Sequence, residues 1–269
     1  MLTCINGATT MPYSFEEDMD AAGTAGFQAV EVWSRKLFPY LESHSISQAA
    51  KVIARNGLRV ASLCPVTFGF FRPQEEVHQR LREAAEVAQG IGCDLLLVCP
   101  DVPPADLSHG EAIRRAVEAA QRSCDVVAPY GVRLALEPLG GHAFVPGPTE
   151  AMEIIARVNR PDLLLMMDTF HYFKSSVSAD ALRDVPVDKM SLIHVNSAEA
   201  LPRDRLTDKH RLWPTLGVVP TVEMVRAFTA RGYDGALSVE VFRDEYWAQP
   251  VGEITAQAKA HLDRLMAQL

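Results

Sequence analysis

The sequence has no cysteine pair at CxxC spacing. Its five cysteines (Cys4, Cys64, Cys93, Cys99 and Cys124) are odd in number, and three lie in or beside apolar runs. This excludes thioredoxin-type and zinc-ribbon motifs and fits reduced, buried thiols. Neither GxGxxG nor GxxxxGK[ST] occurs, so no dinucleotide fingerprint or phosphate loop is announced. There is also no G-x-S-x-G elbow and no thiol at a helix start beside a histidine, which disfavours covalent catalysis. No apolar stretch approaches the ~18 residues of a membrane span. The first residues, MLTCINGATTMPYSFEED, lack the basic and apolar regions of a signal peptide, so a cytoplasmic protein is expected. Positive charge is short as well: 26 basic against 34 acidic residues leave a net charge of −8, which argues against nucleic-acid and membrane partners.

What is present is a regular alternation. Short apolar runs at 2–5, 28–33, 58–64, 94–99, 132–137, 163–168, 191–195 and 236–241 predict strands. Between and after them, amphipathic segments at 14–25, 46–56, 74–91, 109–129, 148–159, 178–184, 220–231 and 251–268 predict helices. Ser14 with Glu17 forms a capping box, and Thr149 with Glu150 and Glu153 puts an acceptor and negative charge near another helix start. Gly57, Gly92, Gly131 and Gly232 sit where helices should stop. A length of 269 residues allows one large barrel or two ordinary domains. Strand–helix units repeated from end to end, without a linker-like shift in composition, predict a closed α/β fold. The expected architecture is a (β/α)8 TIM barrel in which residues 1–269 form a single domain. The longest irregular stretch, 196–219, follows the seventh strand and would open onto the catalytic face.

Four apolar runs in the second half, LALE, LLLMMD, LIHV and LSVEV, end at or near Glu137, Asp168, His194 and Glu240. A charge at the end of a buried run is costly unless something pairs with it. In a barrel, the fifth to eighth strands would bring all four to one side of the same mouth. Three carboxylates and an imidazole suit one divalent metal ion, Mn, Zn, Co or Mg. Such an ion, chelating a hydroxyl and the neighbouring carbonyl, stabilises an enediolate. Glu137 and Glu240 would then serve as the catalytic acid/base pair, removing a proton on one side and returning one on the other. This chemistry fits isomerisation, epimerisation or dehydration of a polyhydroxy ketone. His171, three residues after Asp168, is expected at the substrate or as a cap of the next helix. Arg211, in DKHRLWP, is expected to clamp a substrate oxygen or to be a solvated loop charge. Glu31 and His142 are expected to line the pocket, with Trp33, Phe70, Phe71, Trp213 and Phe242 as apolar walls.

The ligand order Glu, Asp, His, Glu, with DxxH at the second position, resembles the xylose-isomerase-like TIM barrel superfamily of sugar phosphate isomerases and epimerases. The stretches CINGATT, APYGVRLALE, MMDTFHYF, LIHVNSAEALPRDRLTDKHRLWP and ALSVEVFRDEYW carry the resemblance across essentially the whole chain. Within the superfamily they are most similar to the inosose isomerases (2-keto-myo-inositol isomerases). The resemblance implies a divalent metal at Glu137, Asp168, His194 and Glu240, with the two glutamates as acid/base. It also implies His171 and Arg211 near the substrate, and a small keto-inositol or keto-sugar as the partner. A homo-oligomer is left open.

Four places depart from that pattern. Asn196 and Ser197 stand for two acidic residues, His210 for one acidic residue, Pro214-Thr215-Leu216-Gly217 for a PGxG turn, and Trp33 for an arginine. These changes remove charge around the pocket, so Trp33 and Asn196 are expected to contact a larger or less polar substrate. A metal-dependent lyase, a dehydratase or a β-eliminase of a 3-keto-glycoside, is the alternative on the same scaffold. A barrel endonuclease for abasic DNA would need more ligands and a basic groove. A non-catalytic sugar-binding module would have little use for four metal ligands.

Overall fold

The computed structural model describes residues 1–269. Eight parallel strands close into a barrel: β1 (Leu2–Asn6), β2 (Ala29–Trp33), β3 (Arg59–Val66), β4 (Leu95–Val98), β5 (Arg133–Leu136), β6 (Leu163–Asp168), β7 (Met190–Val195) and, after two short strands described below, β10 (Ala236–Val239). Their order round the barrel is β1-β10-β7-β6-β5-β4-β3-β2. β2, β4, β6 and β10 are buried along their whole length, β1, β5 and β7 at all but one residue and β3 at half of its residues, which is why these segments read as nearly continuous apolar runs. Side chains pointing inward, among them Cys4, Ala29, Leu95, Leu97, Leu164, Met166 and Leu192, fill the barrel as a packed core. The alternate residues join the helices in a second, larger apolar layer.

The helices are α1 (Phe15–Thr24), α2 (Ser34–Leu41), α3 (Ile46–Arg55), α4 (Gln74–Gly90), α5 (His109–Val127), α6 (Pro148–Val158), α7 (Thr169–Lys174), α8 (Ala179–Asp184), α9 (Thr221–Thr229), α10 (Asp244–Trp247) and α11 (Val251–Met266). The Ser14–Glu17 capping box forms as expected. Thr149 does not cap: Gly147 is the N-cap of α6 and Pro148 occupies the first turn, whose pre-set φ suits that position. Helices α2, α7 and α10 were not expected. They are short, α2 contains Pro39, and none spans enough turns to show an apolar period.

The 196–219 segment is not irregular throughout. β8 (Ser197–Ala198) and β9 (Arg211–Leu212) pair antiparallel, with Ala198 opposite Arg211. Gly217 closes the return at φ 74°; a Cβ there would stand 2.1 Å from the Ala198 carbonyl oxygen, so only glycine fits. Trp213 stacks on Tyr246 at 4.1 Å and is buried, fastening the ribbon to the last strand–helix loop.

Candidate metal centre

Strand register sets the site. Asp168, the last residue of β6, pairs with His194 on β7. Glu137 and Glu240 each follow their strand by one residue, and the Glu137 amide donates to the Val98 carbonyl at 2.9 Å. The four side chains are buried and offer ligand atoms within 4.8 Å of one another. His194 Nδ1 lies 3.1 Å from Glu240 Oε2, 3.5 Å from Asp168 Oδ2 and 3.7 Å from Glu137 Oε1. Despite that crowd of acceptors it has no hydrogen-bond partner. A buried ring nitrogen facing three carboxylates without a hydrogen bond is the arrangement a cation fills. The donor set fits one divalent metal ion.

The other ring nitrogen fixes that orientation. His194 Nε2–H donates to Glu31 Oε1 at 2.8 Å, leaving Nδ1 as the ligand atom. Glu31 is fully buried and also accepts from Ser62 Oγ at 2.6 Å and Asn6 Nδ2 at 3.2 Å. Expected on the pocket wall, it instead stands behind the histidine. Asn196 is displaced from its expected place in the same way. Its Nδ2 donates to both Asp168 oxygens at 3.2 Å and to the Glu240 carbonyl at 3.1 Å. Its Oδ1 accepts from the Phe170 amide at 2.9 Å and Thr169 Oγ1 at 2.8 Å, so no polar atom is left for a substrate. Asp168 is thereby held rigidly, and it also caps α7 through the Phe170 and His171 amides.

Arg211 is buried inside the site rather than solvated on the loop. Nη1 donates to Asp168 Oδ2 at 2.5 Å and Glu240 Oε2 at 3.1 Å, and Nη2 to His171 Nε2 at 3.2 Å. Asp208 Oδ1 accepts from Nε and Nη2 at 2.9 and 2.8 Å, and the guanidinium lies over the Phe170 and Phe242 rings. Because arginine can only donate, His171 Nε2 accepts and its proton resides on Nδ1, which is buried without a partner. His171 therefore faces the site and caps nothing. Trp33 packs edge-to-face on Phe242 at 6.0 Å, forming an apolar wall. His142 is half-buried; its Nδ1 accepts from the Phe144 and Val145 amides at 3.1 and 3.0 Å, which ties down the loop after β5.

Electrostatics follow from burial and neighbours. Burial pushes Glu137 up to about 8, and it raises Glu240. Burial would raise Asp168 too, but the Arg211 guanidinium holds it well below the usual carboxylate range. Burial opposes charge on His194, yet Glu240 and Glu31 beside it hold its pKa well above the ordinary imidazole value. A cation among the carboxylates would compete with a proton for Nδ1. His171 is pushed down to about 4, chiefly by burial, and is neutral.

Sequence reasoning missed Asp208, Asn6, Ser62 and Cys99. Asp208 had a signal, three residues before Arg211 in DKHR. Asn6 and Ser62 share a register layer with Glu31, which only barrel closure reveals. Cys99 Sγ lies 3.5 Å from Glu137 Oε2.

A closed parallel barrel whose strand ends converge on one divalent-metal centre defines a class, the metal-dependent (β/α)8 enzymes. The chain belongs to the xylose isomerase-like TIM barrel family, whose model matches residues 19–265. It is 27% identical over 265 residues to an inosose isomerase of Halalkalibacterium halodurans, covering 96% of this chain and 94% of that one. It is 25% identical over 245 residues to a 3-dehydroshikimate dehydratase of Pseudomonas putida, covering 89% of this chain and 38% of the relative. Among solved structures, the IolI protein with a bound zinc atom superposes with a TM-score of 0.91 at 25% identity, covering 100% of this chain and 99% of the other. No helix is long and apolar enough to cross a membrane.

Proposed function

We propose that this protein is a divalent-metal-dependent isomerase or epimerase of a keto-inositol or related keto-sugar, acting through an enediolate. The observation that carries this reading is the pair of carboxylates, Glu137 and Glu240, in one buried ligand set with an orphaned imidazole nitrogen. The inosose isomerase relative supports the substrate class. When bound, the cation supplies positive charge that polarises the substrate carbonyl and stabilises the enediolate.

The chain's own residues supply the rest. Glu137 and Glu240 come from strands three places apart round the barrel and reach a ligand from different sides. Their surroundings differ: Arg211 lies against Glu240, whereas Glu137 has Cys99 beside it and His171 Nε2 at 3.9 Å. Glu137, raised by burial, is suited to take a proton from the carbon beside the carbonyl, and Glu240 to return one. His171 Nε2 accepts from Arg211, whose guanidinium holds positive charge where enediolate oxygen develops.

The dehydratase relative supports a second reading, a lyase. The same proton removal ends in elimination when the carbon beyond bears a leaving group. NMR product analysis on 2-keto-myo-inositol and a panel of 3-keto-glycosides separates the two. Isomers from keto-inositols support the isomerase, and unsaturated ketones from the glycosides support the lyase. Glu137→Gln and Glu240→Gln, each with its metal content verified, should lower turnover by roughly 10²–10⁴-fold. Full activity in either metal-loaded variant would remove that residue from the acid/base pair.

A further inference from the structure

Beside the metal centre lies a cleft of about 980 Å³ between α2, the end of β3 and the loops after β3 and β4, and the face of α4. None of the four ligands lines it; it meets the site at Cys99, whose Sγ touches Glu137. Small-molecule pockets usually run from roughly 300 to 1,000 Å³, so this cleft is far too large for a six-carbon keto-polyol alone. Its lining is partly apolar, with Pro65, Val66 and Phe68, and two of the molecule's few exposed large hydrophobic side chains, Phe38 and Val102, stand at its opening.

The cleft is prebuilt. Asp101, from the loop after β4, accepts from the Phe70 amide at 2.7 Å, the Phe71 amide at 3.1 Å and the Arg72 amide at 3.2 Å. Gln74 Nε2 donates to the Gly69 and Arg72 carbonyls at 3.1 and 2.9 Å. Phe70 and Phe71 pack edge-to-face on Phe144 behind this loop. A wall fixed in this way costs little further ordering when a ligand binds.

Three arginines and three acids line the cleft, but they are not all paired with one another. Arg80 is paired with Glu83 at 3.3 Å, and Asp101 is occupied by backbone amides. Arg35 and Arg72 are exposed to the cleft and have no carboxylate partner, against one unpaired acid, Glu76. Unpaired guanidinium groups over an apolar lining recognise planar, anionic groups by pairing and stacking.

We propose that this cleft binds the non-reacting part of the substrate, a planar aromatic acid carried on the keto-sugar, its ring on the apolar lining and its carboxylate recognised by Arg35 and Arg72. This rests on the reading of the metal centre as the site that takes the keto-sugar. The test is calorimetric titration of the metal-loaded protein with 4-carboxyphenyl β-D-glucoside, its neutral 4-carbamoylphenyl counterpart and methyl β-D-glucoside. The carboxyphenyl glucoside should bind about tenfold or more tightly than the other two. Arg35→Gln/Arg72→Gln, checked for folding by its melting temperature, should abolish that preference. Equal affinities, absent binding, or a preference that survives in the double variant would overturn the assignment. Deuterium exchange into 2-keto-myo-inositol tests the metal-centre reading by itself, so a failure of the cleft assignment is distinguished from a failure of that reading.

Discussion

Glu31 accepts hydrogen bonds from Asn6, Ser62 and His194 in one buried layer at the top of the barrel, and its charge bears on His194 Nδ1 through the ring. Removing that charge weakens the imidazole as a ligand without touching the ligand set. Glu31→Gln should therefore lower metal affinity about 10–100-fold, read by competition with a chromophoric chelator. Unchanged affinity would return Glu31 to a purely structural place. The four candidate ligands were legible only as a set: each alone reads as an ordinary salt bridge or hydrogen-bonder, and four compatible side chains at four strand ends are what point to a metal. Glu31 was legible as a pocket-lining acid but not as a support. Its partners come from neighbouring strands 25 and 31 residues away, and nothing local in the sequence joins them.

Between elements, Lys36 of α2 reaches under the loop after β1, donating to Asp18 of α1 at 2.6 Å and to the Thr10 carbonyl at 2.7 Å. Both charged side chains are nearly fully buried. Burial pushes Asp18 up to about 7 and Lys36 down, so desolvation outweighs the pairing. Lys36→Met alone strands a buried carboxylate and should destabilise by about 3–5 kcal/mol. Adding Asp18→Asn should restore most of that loss in urea denaturation. A double variant as unstable as the single would contradict the pairing argument. At this scale the sequence showed the eight strands and the long helices through period and glycine stops. It did not show the β8–β9 ribbon. The two-residue strands of the ribbon carry no period, and their pairing depends on Gly217 closing against Ala198. That ribbon delivers Arg211 into the site, so the role of Arg211 was half legible, named from its motif but placed only by the fold.

For the whole molecule, barrel closure turns four separated strand ends into one metal centre, and loop contacts beside it turn scattered residues into a cleft. The first was readable because parallel strands in sequence order place their ends on one face. The second was not, because Arg35, Arg72 and Val102 become neighbours only through loop contacts such as Asp101 to the 70–72 amides. The central claim is metal-dependent proton transfer beside a carbonyl. A proton NMR time course of the metal-loaded protein with 2-keto-myo-inositol in deuterated buffer tests it most directly. Deuterium should enter the carbon next to the carbonyl as an isomer accumulates, and both should stop when a chelator strips the metal. No deuterium in that substrate or in any 3-keto-glycoside, with the metal shown to be bound, would contradict it.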